Sequence, residues 1–244
     1  MKAIETRALR KEFKGVPAVE SLDLTVEEGE LFALLGVNGA GKTTTIKMLT
    51  TLIPPTSGEA FIYGHPVVDE RNWIKELVDV SMQETAVARK LTVEENIAFY
   101  ARLSGLDKAE TEEIKQYVYS VFGLGKEAKK QAGKLSGGWQ RKLSIALALV
   151  TRPKVLFLDE PTLGLDVLAR RELWKTINTM KGQMTIVLTT HYMEEAEALA
   201  DRIGVMKEGV LLFSGTKEEL YGRTGKNNVE DAFIELVTGG EDHA

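Results

Sequence analysis

The 244-residue chain contains no cysteine. A disulfide scaffold, a thiolate metal site and a cysteine nucleophile are therefore excluded, and a reducing compartment suits it. A basic excess is missing too: 31 Lys and Arg stand against 36 Asp and Glu, a formal net charge of −5. That balance disfavours nucleic acid as a partner. No apolar run approaches the roughly 18–20 residues that cross a bilayer. The stretch 143–150 already contains Ser144, and residues 1–11 are charged throughout, with no apolar segment of signal-peptide type. The expectation is a cytoplasmic protein. Internal repeats, low-complexity segments and sustained heptads are also lacking.

What is present is ordinary globular material. Hydrophobic residues make up 43% and charged ones 27%, which argues against disorder. At roughly 150 residues per domain the length corresponds to about one and a half domains, enough to bury about 70–75% of the unfolded surface. Leu22, Leu24 and Val26 alternate with polar residues as in a half-buried strand, and 31–35 is wholly apolar, as in a buried central strand. A helix is expected over 42–52, closed by Pro54-Pro55, and a strand over 59–63. Thr92 with Glu95 and Asp107 with Glu110 are capping boxes, opening helices that run to about Leu103 and Gly123. No strand separates them, so this stretch forms a helical lobe. Residues 126–134 read as a solvated basic loop.

Beyond the lobe the pattern alternates. A helix over 137–150 precedes a strand at 155–158 that ends in Asp159-Glu160. A helix from about Asp166, a strand at 185–190, a helix from about Tyr192 and strands at 202–206 and 210–213 follow. Such alternation predicts an α/β fold with a mostly parallel sheet. Polar residues 222–228 read as a linker, and 228–237 as a short final helix.

Four motifs carry chemistry. Gly36-Val37-Asn38-Gly39-Ala40-Gly41-Lys42-Thr43 fits G-x-x-x-x-G-K-[ST], directly after a buried strand and before a helix. Its glycines let successive backbone N–H groups turn toward phosphate oxygens, Lys42 reaches the β- and γ-phosphates, and the Thr43 hydroxyl suits Mg²⁺. The helix N-terminus adds a favourable dipole. The apolar strand ending in Asp159 matches a metal-holding carboxylate, and Glu160 beside it could polarise an attacking water. His191 ends another apolar strand at the sheet edge where ligands bind and could contact the γ-phosphate. Leu135-Ser136-Gly137-Gly138 opens a helix as a second anion-binding N-terminus.

Together these residues resemble the ATP-binding subunit of an ATP-binding cassette (ABC) transporter, from Lys2 to about Tyr221. The resemblance implies a P-loop NTPase fold: a RecA-like core with a mostly parallel sheet, an antiparallel β-subdomain and an inserted helical lobe. It implies an ATPase domain over 1–223, with the lobe at about 84–152, and a linker and short helix over 224–244. Phe13 stands where the family stacks adenine, with Val19 nearby. Gly36 to Thr43 is its Walker A loop, followed by Thr44, so that Asn38, Gly39, Ala40, Gly41, Lys42, Thr43 and Thr44 would hold the nucleotide. Asp159 ends its Walker B strand, and Glu160, His191 and Lys42 would be catalytic. Thr43, Gln83 and Asp159 would hold Mg²⁺.

The resemblance further implies a head-to-tail dimer, with ATP between one copy's Walker A loop and Ser136, Gly137 and Gly138 of another copy or a homologous subunit. Residues 85–88, just after Gln83, would line a groove that receives an integral membrane permease. The protein would then sit at the cytoplasmic face of the membrane through that partner. The stretches 165–174 and 228–237 resemble the ABC-2 exporter branch, similar to drug-resistance, polysaccharide and bacteriocin-immunity exporters. Three departures stand out: Trp139 replaces a common Gln in the signature, Lys142 a commoner Arg shortly after it, and Phe13 a more frequent Tyr. The alternative is a soluble ABC ATPase acting on the ribosome or on DNA. Ribosomal members usually carry two cassettes and DNA-repair members a long coiled coil, neither of which is here. A P-loop kinase does not account for Ser136 to Gly138 or His191.

Overall fold

The computed structural model describes residues 1–239. The chain opens with four strands, β1 (Lys2–Phe13), β2 (Val16–Leu22), β3 (Thr25–Glu27) and β4 (Leu31–Leu35), then helix α1 (Lys42–Leu49). Next come β5 (Ser57–Ile62), β6 (His65–Pro66), α2 (Arg71–Leu77) and β7 (Val78–Ser81). Helices α3 (Val93–Leu103), α4 (Lys108–Phe122) and α5 (Gly137–Ala148) lead to β8 (Val155–Asp159) and α6 (Val167–Met180). The remainder is β9 (Thr185–Thr190), α7 (Met193–Leu199), β10 (Arg202–Lys207), β11 (Val210–Thr216), α8 (Lys217–Thr224) and α9 (Val229–Thr238).

Two sheets organise the molecule. One is antiparallel, in the order β2-β1-β5-β6 with β3 also on β1. The other runs β11-β10-β4-β9-β8-β7, parallel throughout except for β11. Strand β4 shows why its apolar run is continuous. Leu31, Ala33 and Leu35 enter the core that contains α5, α6 and α7, whereas Phe32 and Leu34 enter the core beneath α1 and the antiparallel sheet. A strand covered on both faces has no polar side to show. Each fully buried Leu or Phe there contributes about 1.5–3 kcal/mol.

Parallel pairing has a functional consequence. The adjacent strands β4, β9, β8 and β7 all point the same way, so one edge of the sheet collects the segments that follow them. Those segments begin at Gly36, His191, Glu160 and Met82, and together they position the site.

Several local expectations change. The alternating stretch at 22–26 is two strands, because the chain crosses from one half of β1 to the other at Asp23. The Thr6 hydroxyl bridges that crossing, donating to Leu22 C=O (2.6 Å) and accepting from Leu24 N–H (2.9 Å). Helix α1 stops at Leu49, well before Pro54, and α5 stops at Ala148. The basic loop contains two 3-10 turns, Leu124–Glu127 and Ala132–Lys134, tied to α3 by Val93 N–H on Lys130 C=O. The expected linker at 222–228 is partly helix: α8 runs to Thr224, and α9 buries Val229, Ala232 and Phe233 in the main core. Of the expected tail, residues 240–244 lie outside the described residues.

Candidate functional site

A cleft of about 580 Å³ opens at the shared strand edge. Its floor is the loop 36–41, held open by two glycines. A Cβ at Gly36 would lie 2.5 Å from Met206 C=O. At Gly41, φ is 103° and a Cβ would lie 2.5 Å from Ala18 C=O. Helix α1 has no side-chain cap, and its first ladder bond is Thr45 N–H to Gly41 C=O. The N–H groups of Lys42, Thr43 and Thr44 precede that ladder and face the loop, an arrangement that suits an anion.

Charges converge on Glu160. Its Oε1 lies 3.1 Å from Lys42 Nζ and its Oε2 lies 2.8 Å from His191 Nδ1. Lys42 Nζ also donates to Gly36 C=O (2.6 Å) and Val37 C=O (3.3 Å). Both Lys42 and Glu160 are buried. Glu160 takes φ 48°, a left-handed conformation that costs a non-glycine residue about 1–2 kcal/mol. The strain is held by its own N–H, which donates to Thr189 C=O (3.1 Å) and to the Thr189 hydroxyl (3.1 Å). That hydroxyl donates in turn to Asp159 Oδ1 (2.6 Å). Asp159 is fully buried and accepts the Thr43 hydroxyl at 3.0 Å on both oxygens.

Most expected residues meet here. Phe13, Asn38, Gly39, Ala40, Gly41, Lys42, Thr43, Thr44, Gln83, Glu160 and His191 line the cleft, with Ala18 and Leu163 added. Phe13 stands half exposed at the rim, its ring 5.3 Å from Lys11 Nζ. Val19 is a correction. It is wholly buried in the core under Gly41, and strand alternation turns Ala18 to the cleft in its place. Asp159 lies behind the wall and reaches it through Thr43.

Ser136, Gly137 and Gly138 are not brought into this cleft. Ser136 and Gly138 border a separate depression with Lys142 and Glu172, and Gly137 is exposed beside them. Ser136 makes no capping hydrogen bond to α5. Trp139 also lines this depression and packs on the lobe. Its ring faces Lys142 Nζ at 4.8 Å, and Lys142 continues to Glu172 at 3.1 Å.

Two residues central to the geometry escape the motifs. Thr189 is the pivot between Asp159 and Glu160, hidden because a threonine in an apolar strand looks like filler. Arg141 is buried, and burial pulls its guanidinium down to about 10 against the attraction of Asp159, Glu195 and Glu160. Its signal was spacing: 141, 145 and 148 share the buried face of α5.

Residues 19–163 match the ABC transporter family. The daunorubicin/doxorubicin resistance ATP-binding protein DrrA of Streptomyces peucetius is 40% identical over 227 residues, covering 93% of this chain and 69% of DrrA. The human phospholipid-transporting ATPase ABCA3 is 44% identical over 209 residues, 85% of this chain. The match spans only 12% of ABCA3. Among solved structures, cbiO1 from Clostridium perfringens, part of the ABC transporter complex cbiONQ, superposes with a TM-score of 0.84 at 27% identity, covering 91% of each chain.

Proposed function

The chain belongs to the ABC transporter family as an ATP-binding ATPase domain, and from that premise we propose that its ATP hydrolysis energises a separate membrane permease of the ABC-2 exporter type. The observation that carries the catalytic part is the Lys42–Glu160–His191 chain beside the loop 36–41, with Lys42 and Glu160 buried.

In this reading adenine stacks on Phe13, and the phosphates take the N–H groups of residues 39–44. Lys42 leaves Glu160 for the phosphate oxygens. Glu160 is then free to accept a proton from the attacking water, while His191 holds its other oxygen and keeps the carboxylate aimed. Removing water from this cleft strengthens each of these interactions. Magnesium fits as the accompanying cation, since hydroxyl, amide and carboxylate oxygens are its usual donors. Thr43 and Gln83 would face it, and Asp159 would orient Thr43 from behind. Bound there, the ion neutralises phosphate charge.

The signature edge completes a second copy's site. Ser136 lacks a capping bond and Gly137 and Gly138 leave the start of α5 open, which supports a role outside its own cleft. The permease contact falls on the lobe. Residues 85–88 are strapped to α3 by Tyr100 Oη on Ala86 C=O (2.8 Å) and by Asn96 on both the N–H and C=O of Ala88. Phe99 and Leu103 stand exposed beside them. Among the described residues no helix is long and apolar enough to cross a membrane.

The test is ATP turnover by the purified chain with and without Glu160→Gln. Retained nucleotide binding with lost turnover supports the reading. Near-normal turnover removes Glu160 from the chemistry. Charged substitutions at 85–88 should uncouple transport while sparing ATP binding, and transport that survives them rules out the groove.

A further inference from the structure

Arg141 lies five residues into the helix that starts after Ser136, and its guanidinium is spent almost wholly on backbone. Nε donates to Pro161 C=O (2.8 Å) and Nη2 to Asp159 C=O (2.9 Å). Nη1 donates to Met82 C=O (2.6 Å) and Gln83 C=O (3.2 Å). Among the described residues it makes no ion pair within 4.0 Å, although it is 96% buried (4% exposed). A buried cation facing carbonyls is costly for stability alone, because neutral donors could satisfy the same oxygens.

The sheet explains why a planar fork is needed here. Strands β7 and β8 pair in register as far as Ser81 and Leu158, and no further. Past that point the two segments diverge, one to Gln83 and the other to Glu160. The carbonyls of Met82, Gln83, Asp159 and Pro161 lie beyond the last β7–β8 pair, and Arg141 donates to all four. Five N–H donors in a fixed plane can do this, whereas a single ammonium cannot.

We propose that Arg141 is a positioning residue that couples the signature end of α5 to Gln83 and Glu160 of the same subunit. Movement of α5, when its Ser136 edge engages a second copy's nucleotide, is thereby transmitted to the carboxylate and amide of its own cleft. The coupling rests on the functional reading above, but the stitch itself does not. Lys42 and the loop 36–41 make no contact with Arg141 in the hydrogen bonds described, so nucleotide affinity and turnover should separate.

The experiment uses the full chain as wild type, Arg141→Ala, Arg141→Gln and Arg141→Lys. Amide hydrogen exchange without nucleotide should rise at least about tenfold at 82–84 and at Glu160 and Thr162 in Arg141→Ala, with α1 unchanged. With MgATP, kcat should fall about 10- to 100-fold while affinity for a fluorescent ATP analogue stays within about threefold. Arg141→Lys should recover little of that loss. If Arg141→Ala does not fold, the same comparison is read on Arg141→Gln, which keeps two donors. Unchanged exchange at both segments, full rescue by lysine, or affinity falling in step with kcat would overturn the proposal. The exchange difference between wild type and Arg141→Ala, found together with a wild type that turns over no ATP, would overturn the ATPase reading instead.

Discussion

The two helix starts proposed as anion sites are built in opposite ways. Helix α1 begins inside a cleft, among buried charges: Lys42, Glu160 and, behind them, Asp159. Helix α5 begins on an open surface, with Ser136 and Gly137 exposed and Lys142 tied to Glu172. Both lack a side-chain cap, whereas α3, α4, α6, α8 and α9 are capped by Thr92, Asp107, Asp166, Thr216 and Asn228. Five helix starts are thus satisfied by side chains and four are not; two of the four, α2 and α7, are seven residues long, and the other two are α1 and α5. One of those carries its own electrostatics and the other carries almost none. The first half resembles a site awaiting a ligand, the second a lid awaiting another molecule's ligand.

Substitutions should respect that division. The largest effect is expected from Glu160→Gln, with turnover down by about 10³-fold or more, ATP affinity retained and an ATP-dependent dimer visible by size-exclusion chromatography. An active variant would mean that the charged half is not where the chemistry occurs. Lys42→Ala should weaken ATP binding by about 100-fold in a titration of the isolated chain, because the ammonium is lost and Glu160 repels the phosphates unopposed. His191→Ala should lower kcat about 10- to 100-fold with affinity changed less than about threefold, since His191 touches Glu160 and not the loop. Equal losses in both parameters would place His191 in binding.

How much of this division was legible follows from where each signal resides. The capping boxes at Thr92 and Asp107 are complete in four residues, and the structure forms both. Apolar β4, β8 and β9 declare themselves because two buried faces leave no polar alternation. Strand β1 does not: it changes partners at Ala8, where φ is 45° and Gly58 packs against the bend, so no single period survives. Strand β7 is four residues long and contains a half-buried Asp79. Helix α8 had a local signal, Thr216 with Glu219, outweighed by the polar stretch that follows. In the site, residues within one motif were readable, but the Thr189 pivot, the Ala18-for-Val19 exchange and the Arg141 stitch depend on which strands lie side by side.

An effect on stability and not on turnover lies outside both halves and serves as their control. Burial pushes Asp79 up to about 6, despite bonds from Val80 N–H and the Thr151 hydroxyl. The folded state therefore binds its proton more tightly than the unfolded chain does. Stability from this group is fully present below about pH 4 and is lost as pH rises through about 6. Asp79→Asn should gain up to about 2–3 kcal/mol over wild type at pH 8 and nothing at pH 4, read from thermal unfolding at each pH. ATP affinity should not change. A gain that is flat with pH would assign the effect to packing.

The most direct test of two unlike halves is complementation. Ser136→Arg blocks the open half while sparing its own cleft, and Lys42→Ala disables the cleft while sparing its own signature edge. Each variant alone should hydrolyse little ATP. A dimer of one with the other regains one intact composite site, so an equimolar mixture should recover roughly a quarter of wild-type turnover. A mixture no more active than the better single variant would contradict the arrangement, and would place all of the catalytic machinery within one copy.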